Sequence, residues 1–320
     1  MARLSIQKVD CKDFSLRVLD SGLQSCQHYI KGKLCDIPKN LICKPALLAS
    51  TDKNRLSVGS YSQLSLFAQC HRKWFYQYIL NINPVKTPSY YIQGRIFHEK
   101  LAHYYMTGDT APRMIENDDQ AKAEAMAESY IEYYHDFEPG LEVECTTIVE
   151  PILPYLPRQY KAIIDLYKKS SDEIIDHKLS GQIQPFLISA FQAVFYFSAR
   201  PEAKKFTINT TLKPQHKRGK KETLIEFFER IKEKVSEEPG KYFSRISFYR
   251  SEIMDRFLDE ASAIESDLIG RLPSRDLHYY PMNPSACHMM ECEYQSICET
   301  GAVDKKLYKI TPYRSKTNGK

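Results

Sequence analysis

Two short apolar runs, each ending in an aspartate, constrain the fold of this chain more than any other feature. Residues 163–165 and residues 174–176 both read Ile-Ile-Asp. The turn-forming residues 169–172, Lys-Ser-Ser-Asp, lie between them. β-Branched runs on either side of a polar turn are typical of two consecutive strands. If the two strands pair as a hairpin, Asp165 lies beside Asp176.

The second run continues as Asp176-His177-Lys178. Side chains alternate along a strand, so Asp176 and Lys178 point to one face and His177 points to the other. Two neighbouring carboxylates repel each other, and a divalent cation that binds their oxygens usually neutralises this repulsion. A lysine beside that cation suits phosphodiester hydrolysis, in which a metal activates water and positive charge stabilises the transition state. The same tripeptide is also common at the solvated end of an ordinary hairpin.

Three more polar residues are predicted on helices near this hairpin. His98 falls in a helix predicted over about residues 91–105, where it is either a third metal ligand or a partly buried helical histidine. Gln192 and Tyr196 are four residues apart in a helix predicted over residues 185–198, so they share one face of it.

The order of predicted elements indicates an α/β fold. A first helix begins at the cap Ser62 and is ended by Asn83 and Pro84. Three helices, then strands with a helix between them, then more helices predict helices packed on a mixed sheet. The remaining predicted segments are helices over residues 119–134, 222–237 and 253–269 and strands over residues 143–152, 160–167, 173–177 and 206–212.

Nine cysteines stand out in a chain whose first residues lack the apolar core of an export signal. We therefore expect a cytoplasmic, reducing location, where cysteines are seldom disulfides. Cys287, Cys292 and Cys298 fall within twelve residues, and three thiolates need a fourth ligand to complete a site. Two alternatives remain for these three cysteines: a zinc site in which His288 is a further ligand, or free thiols in the core. Five of the remaining six cysteines receive no role: Cys11, Cys26, Cys35, Cys43 and Cys145.

The placement of basic and aromatic residues suits a nucleic-acid partner. The net charge is only +5, but two tracts are strongly basic: Lys213–Lys221 and the tail of residues 301–320. The pair Tyr90-Tyr91 precedes His98, and aromatic rings beside basic groups suit the stacking of unpaired bases. The apolar runs are too short to span a bilayer, so we expect no membrane partner.

These motifs, taken in order, resemble those of the RecB-type branch of the PD-(D/E)xK nuclease superfamily, which includes CRISPR-associated exonucleases, AddB-like nucleases and phage proteins. The resemblance runs from about residue 60 to residue 300. It rests on Phe67-x-x-Cys70-x-x-Lys73-Trp-Phe-Tyr76, Gly94-x-x-x-His98, Ile164-Asp165, Ile175-Asp176-His-Lys178, Gln192-x-x-x-Tyr196 and the three late cysteines. Asp176 stands where many members have Glu.

The resemblance implies a restriction-endonuclease-like core, with a mixed central sheet flanked by helices and a cysteine-rich C-terminal segment. It makes His98, Asp165, Asp176 and the backbone carbonyl of His177 the ligands of Mg²⁺ or Mn²⁺, and Lys178 the catalytic lysine. Gln192 and Tyr196 would position DNA or active-site groups. Cys70, Cys287, Cys292 and Cys298 would bind a [4Fe–4S] cluster, with Zn²⁺ as the alternative.

We therefore expect a metal-dependent deoxyribonuclease, an exonuclease that acts on single-stranded DNA or on DNA ends. The alternative is a non-cleaving DNA-binding scaffold subunit that keeps the nuclease fold with a structural Fe–S or zinc site. The expected division is an N-terminal extension over residues 1–58, a nuclease domain over residues 59–300 with the cluster segment at 281–300, and a basic tail over residues 301–320.

Overall fold

The computed structural model describes residues 41–43, 58–86, 88–150, 155–183, 186–272, 277–290 and 292–310. Most of the predicted N-terminal extension, with Cys11, Cys26 and Cys35, and residues 311–320 of the predicted tail lie outside the described residues. The chain divides into two compact units. One unit comprises residues 87–263, and the other combines residues 1–86 with residues 264–320.

The helices and strands are numbered in chain order. The strands are β1 (Leu41–Cys43), β2 (Val58–Gly59), β3 (Ile82–Pro84), β4 (Glu142–Val149), β5 (Gln159–Lys168), β6 (Glu173–Ser180), β7 (Lys205–Leu212), β8 (Phe243–Tyr249), β9 (Ala302–Asp304) and β10 (Tyr308–Ile310). The α-helices are α1 (Tyr61–Gln69), α2 (His71–Trp74), α3 (Ser89–Thr107), α4 (Asp118–Tyr134), α5 (Phe186–Ala199), α6 (Leu224–Glu237), α7 (Pro239–Tyr242), α8 (Arg250–Arg271), α9 (Pro284–Met290) and α10 (Gln295–Thr300).

The unit of residues 87–263 contains a mixed sheet in which five strands lie in the order β4–β5–β6–β7–β8. Strands β6 and β7 are parallel, while the pairs β4–β5, β5–β6 and β7–β8 are antiparallel. The parallel pair requires a crossover, and α5 supplies it. The polar turn between β5 and β6 is the predicted one, with Asp172 in the left-handed conformation at φ 50°.

Helix α5 covers one face of this sheet. The ring of Phe195 packs at 5.0 Å from Tyr160, and that of Tyr196 at 5.2 Å from Phe206. Because α5 is apolar on most of its length, the packing removes its side chains from water and fixes where Gln192 and Tyr196 stand.

Helices α3, α4 and α6 form the other layer. Their apolar side chains build one core with Leu166 and Ile175 of the sheet. Asn117 caps α4 through its side chain, and Thr223 and Glu226 form a capping box at the start of α6. Helices on both sides of a mixed sheet are the predicted α/β architecture, which is confirmed. The core residues of this layer include Phe97, Leu101, Tyr104, Ala121, Ala125, Tyr130, Phe227, Phe228, Ile231 and Val235.

The other unit is built around aromatic side chains. Trp74 and Phe75 are fully buried, and both pack on the ring of Tyr280. Tyr294 is also buried and donates a hydrogen bond to the carbonyl of Ile82 at 2.9 Å. Two short antiparallel pairs, β1 with β9 and β3 with β10, join early and late parts of the chain.

The first helix differs from its prediction in start and continuity. Ser60, not Ser62, is the N-cap, and its hydroxyl accepts the N–H of Gln63 at 3.2 Å. The helix stops at Cys70, which is extended, then resumes as α2 and as a π-helix over Phe75–Ile79. Strand β8 was missed because its alternation falls between two strong helical patterns. No helix in the described ranges is long and apolar enough to cross a membrane.

Candidate active site

The hairpin of β5 and β6 brings the two aspartates together as the sequence predicted. The β5–β6 ladder ends with Leu166 opposite Ile175, and Asp165 and Asp176 are the next residues of the two strands. The backbone N–H of His177 donates a hydrogen bond to Oδ2 of Asp165 at 2.8 Å. One carboxylate is therefore held by the backbone of the strand that carries the other.

Asp176 is almost completely buried, and three side chains hold its carboxylate. Gln192 Nε2 donates to Oδ1 at 2.9 Å, and the hydroxyl of Tyr196 donates to the same oxygen at 3.1 Å. Oδ2 lies 2.7 Å from Nζ of Lys178. The same hydroxyl lies 3.0 Å from the carbonyl oxygen of Ile163, so its one hydrogen is shared between the two acceptors. The four-residue spacing of the glutamine and tyrosine on α5 therefore serves to fix one oxygen of Asp176.

His98 reaches the same place from α3. Its Nδ1 lies 3.4 Å from Oδ2 of Asp165. Burial lowers the pKa of His98, and the nearby Lys178 ammonium lowers it further. The imidazole is therefore neutral near pH 7, which is the form that binds a metal ion.

The paired carboxylates repel each other. Burial raises the pKa of Asp165 to about 7, and the negative charge of Asp176 contributes to the increase. The positive charge of Lys178 works in the opposite direction. A group of this kind gains from a cation, because the cation neutralises the charge that the buried site disfavours.

One acidic residue near the site was not among the sequence-predicted residues. Glu144 on β4 lies across from Asp165, between the ladder pairs of Val143 with Leu166 and Cys145 with Ile164. Its charge raises the pKa of both His98 and Asp165. Its backbone has φ 53°, a left-handed conformation that is unusual for a strand residue. No pattern in the sequence distinguishes Glu144 from the other acid of β4, Glu142.

Glu150, which follows β4, accepts two hydrogen bonds from Nε2 of Gln159, at 3.0 and 3.2 Å. These bonds place it at the far end of the β4–β5 hairpin, since β4 runs from Glu142 to Val149. Of the two acids, Glu144 is the one that interacts with the candidate site.

His177 points to the opposite face from its neighbours, as strand alternation predicts. It is buried and its ring stacks on Tyr105 at 5.4 Å, with Tyr130 at 5.4 Å in an edge arrangement. Burial holds the pKa of His177 well below its ordinary value, so the ring is neutral. The side chain anchors the strand in the core, while the backbone of the same residue belongs to the candidate site.

The donor chemistry of the site fits a hard divalent cation. The two carboxylates supply the oxygen ligands that Mg²⁺ and Mn²⁺ prefer, and the neutral imidazole of His98 is a nitrogen donor beside them. Among the residues that the structure describes, no three His, Cys, Asp or Glu side chains lie close enough together to hold a metal ion. Lys178 Nζ instead lies against Asp176.

The four cysteines of the predicted cluster all fall in the other unit. The segment of Cys70 is hydrogen-bonded to the segment before Cys287, through Asn283 Nδ2 to the carbonyl of Gln69 at 2.9 Å and Arg72 N to the carbonyl of Pro281 at 3.2 Å.

Burial raises the pKa of the Cys298 thiol to about 11, and its neighbours Cys292 and Cys287 contribute to the increase. The three late thiols are thus close enough to influence one another, while Arg72 favours the thiolate of Cys298. Soft donors beside a cation suit an iron–sulfur cluster or zinc. The backbone of His288 lies in α9, but its side chain is outside the described residues.

The basic loop after β7 is partly neutralised. Arg218 forms an ion pair with Asp118 at 2.7 Å, and Arg230 of α6 forms a bidentate pair with Glu222. A broad hollow beside the loop has acidic as well as basic walls, its lining residues including Glu132, Lys217, Lys221, Glu222, Glu226, Glu229, Lys232 and Glu233. The surface around residues 217–222 therefore carries both positive and negative charge.

Comparison with known protein families shows that residues 59–299 match the PD-(D/E)XK nuclease superfamily. The match covers well over half of the chain, and the chain belongs to this superfamily. Membership implies a nuclease with DNA as its substrate, and nucleases of this superfamily typically use Mg²⁺ or Mn²⁺.

Among solved structures, the chain is similar to the crystal structure of a phage-related exonuclease from Haemophilus somnus 129PT. The sequence identity is 16% and the TM-score is 0.30, over 55% of this chain and 82% of that chain. This similarity is too remote to carry a functional argument. The comparison with curated proteins gave no match.

Proposed function

We propose that the protein is a Mg²⁺- or Mn²⁺-dependent exonuclease that acts on single-stranded DNA or on DNA ends, in recombination, repair or the processing of CRISPR or phage DNA. The observation that carries the proposal is the buried carboxylate of Asp176. Gln192 and Tyr196 hold one of its oxygens, and Lys178 lies against the other. A merely structural hairpin has no need of a buried acid oriented by three side chains.

The roles follow from the positions of the donors. Asp165, Asp176, His98 and the carbonyl of His177 would hold the cation, which supplies an activated water and neutralises charge on the phosphate. Gln192 and Tyr196 keep Asp176 in one orientation, so its other oxygen faces Lys178 and the place of the substrate. Burial holds the pKa of Tyr196 well above its ordinary value, so it remains a hydrogen-bond donor.

In this proposal Lys178 would change partner on substrate binding. Its ammonium pairs with Asp176 in this structure, at 2.7 Å. With a cation held at Asp176, the same ammonium would be able to donate to a phosphate oxygen on which negative charge develops. Its position two residues along the strand keeps it on the same face as Asp176.

The cysteines support a [4Fe–4S] cluster bound by Cys70, Cys287, Cys292 and Cys298, with Zn²⁺ as the alternative metal. The mutual influence of the three late thiols and the hydrogen bonds that tie the Cys70 segment to residues 281–283 support this assignment. The role of the cluster would be structural, because it joins parts of the chain that are about 200 residues apart.

End-labelled DNA tests the function. Single strands and blunt duplexes of equal sequence, labelled at the 5′ or the 3′ end, would be incubated with Mg²⁺, with Mn²⁺ and with EDTA. We expect cleavage of the single strand that begins at one end and requires the metal, giving mononucleotides or short products from that end only.

Two results would contradict the proposal. Internal cuts from the earliest time points would make the protein an endonuclease. Binding of DNA without cleavage under either metal would favour the scaffold, in which the nuclease fold serves only to hold DNA.

A further inference from the structure

Two exposed tyrosines begin the helix that carries His98. Tyr90 and Tyr91 lie in the first turn of α3, with 48% and 56% of their surfaces exposed. Their rings lie 4.5 Å apart at an angle of 34°. Large aromatic rings in solvent lose the stabilisation that burial would give, so a pair of them at one place indicates a surface that binds something.

A lysine completes this surface. Nζ of Lys213 lies 5.6 Å from the centre of the Tyr90 ring, in the arrangement of a cation–π contact. Burial lowers the pKa of Lys213, with Asp119 acting in the opposite direction. Tyr90 thus contacts both a cation and the ring of Tyr91, while Tyr91 keeps more than half of its surface in solvent.

The surface lies at the end of the sheet where the parallel strands β6 and β7 finish, close to Lys178. The backbone N–H of Lys213 donates to the carbonyl of Ser180 at 2.8 Å, and Ser180 is two residues beyond Lys178 on β6. On α3, Tyr91 precedes His98 by seven residues, which is two turns, so both lie on one side of the helix about 10 Å apart. That separation is about three nucleotide steps of a stacked strand.

We propose that Tyr90, Tyr91 and Lys213 form a subsite for the single strand that enters or leaves the active site, in which a base stacks on Tyr91 and Lys213 contacts a backbone phosphate. This subsite is called the tyrosine platform. The proposal rests on the proposed function, because it takes the strand to be the nuclease's own substrate. Base–aromatic stacking needs an unpaired base, so the platform selects single strands over duplexes.

Charge favours nucleic acid over an apolar partner on this surface. Lys213 is the first residue of the basic loop, and it stands beside the aromatic pair, whereas Arg218 farther along is neutralised by Asp118. An aromatic pair with one cation reproduces the stacking and phosphate contacts that single-strand binding requires.

The test measures DNA binding in the full chain without metal, so that cleavage plays no part. The variants are Tyr90→Ala/Tyr91→Ala, the matching Tyr90→Phe/Tyr91→Phe, and Lys213→Ala, and the probe is a fluorescent thymidine oligonucleotide of about 20 residues. Tyr249→Ala and Lys204→Ala are the controls, since these exposed residues lie at the opposite end of β7 and β8.

The double alanine variant should bind the single strand at least about fivefold more weakly, while the double phenylalanine variant keeps wild-type affinity because the rings remain. Lys213→Ala should lower the salt dependence of binding by about one phosphate contact. A blunt duplex should bind all variants alike. A double alanine variant that binds the single strand as tightly as Tyr249→Ala would overturn the proposal.

Kinetics with Mg²⁺ separate this proposal from the proposed function. If the platform positions substrate, the double alanine variant raises KM at least about fivefold and leaves kcat within about twofold of wild type. Cleavage with an unchanged KM in that variant would overturn the platform and leave the nuclease standing. Tyrosine-dependent binding by a wild-type protein that never cleaves would support the platform as a strand-binding surface and overturn the nuclease.

Discussion

Tyr196 and Asp176 are joined by a hydrogen bond of 3.1 Å between the phenolic oxygen and Oδ1, although they come from a helix and a strand twenty residues apart. Gln192, one turn earlier on the same helix, donates to the same oxygen. The helix thus holds the buried acid by two donors and leaves its other oxygen to Lys178. The orientation of Asp176 is a property of α5 as much as of β6.

This relationship predicts the effect of removing one hydroxyl. Tyr196→Phe keeps the ring on Phe206 and deletes the donor to Asp176, so cleavage should slow about 10-fold, or about 1.4 kcal/mol in activation free energy. The measurement is kcat on single-stranded DNA with saturating Mg²⁺. Tyr249→Phe, which alters an exposed ring, is the control. An unchanged kcat in Tyr196→Phe would mean that Asp176 does not depend on this bond.

The repulsion between the carboxylates predicts a pH effect on stability. The pKa of Asp165 is raised to about 7 in the folded chain, against about 3.9 in an unfolded one. Between these values the folded state keeps a proton that the unfolded state loses, so the free energy of unfolding falls as the pH rises through 7. In EDTA, the free energy of unfolding of the wild type should fall by about 2 to 3 kcal/mol more than that of Asp165→Asn between pH 5 and pH 8.

Urea unfolding at the two pH values, with and without Mg²⁺, measures this difference. A cation in the site would neutralise the ionised pair, so Mg²⁺ should reduce the extra loss of the wild type at pH 8. Parallel pH profiles for wild type and Asp165→Asn in EDTA would contradict the account of the carboxylate pair.

Glu144 is expected to strengthen cation binding. Its charge acts on His98 and Asp165, so Glu144→Gln removes one negative charge from the surroundings of the site. We expect the Mg²⁺ concentration for half-maximal activity to rise about 3- to 10-fold, which corresponds to roughly 1 kcal/mol. Glu150→Gln is the matched control on the same hairpin, and it should leave that concentration unchanged. Equal shifts in both variants would remove Glu144 from the site.

The cysteine assignment predicts a metal content that depends on particular thiols. Protein purified without oxygen should be brown and hold about four iron atoms per chain, and Cys287→Ser and Cys298→Ser should lose the iron and unfold at a lower temperature. Cys145 lies near Glu142 in the unit of residues 87–263, so Cys145→Ser should keep the iron content and the unfolding temperature of the wild type. One zinc per chain without iron would identify the site as a zinc site. If the protein contains neither metal, the four cysteines are free thiols.

The hairpin and its turn could be predicted from local patterns, and the partners on α3 and α5 were implied by the family resemblance. Strand alternation predicted that His177 points away from Asp176 and Lys178, and a spacing of four placed Gln192 and Tyr196 on one helix face. That these two hold one oxygen of Asp176 was not predictable, since it depends on how α5 crosses the sheet. Glu144 was missed because only the β4–β5 register brings it opposite Asp165.

The break in the helix at Cys70 and the existence of strand β8 could not be predicted from the sequence either. The apolar spacing from residue 64 to residue 79 fits one continuous helix, yet Cys70 is extended and the chain continues through a π-helical turn. Strand β8 has the alternating burial of a strand, but it is short and lies between the strong helical patterns of α6 and α8. Tertiary packing decided both.

The central claim is that Asp176 and Lys178 carry the chemistry of a metal-dependent nuclease. The most direct test is the rate of product release from end-labelled single-stranded DNA in Mg²⁺, for Asp176→Asn and Lys178→Met. Asp172→Asn and Lys169→Met, in the turn at the other end of the hairpin, are the matched controls, and circular dichroism verifies that all four variants are folded. We predict at least about a 100-fold loss for the first two variants and wild-type rates for the controls. Wild-type cleavage by both folded site variants would contradict the account.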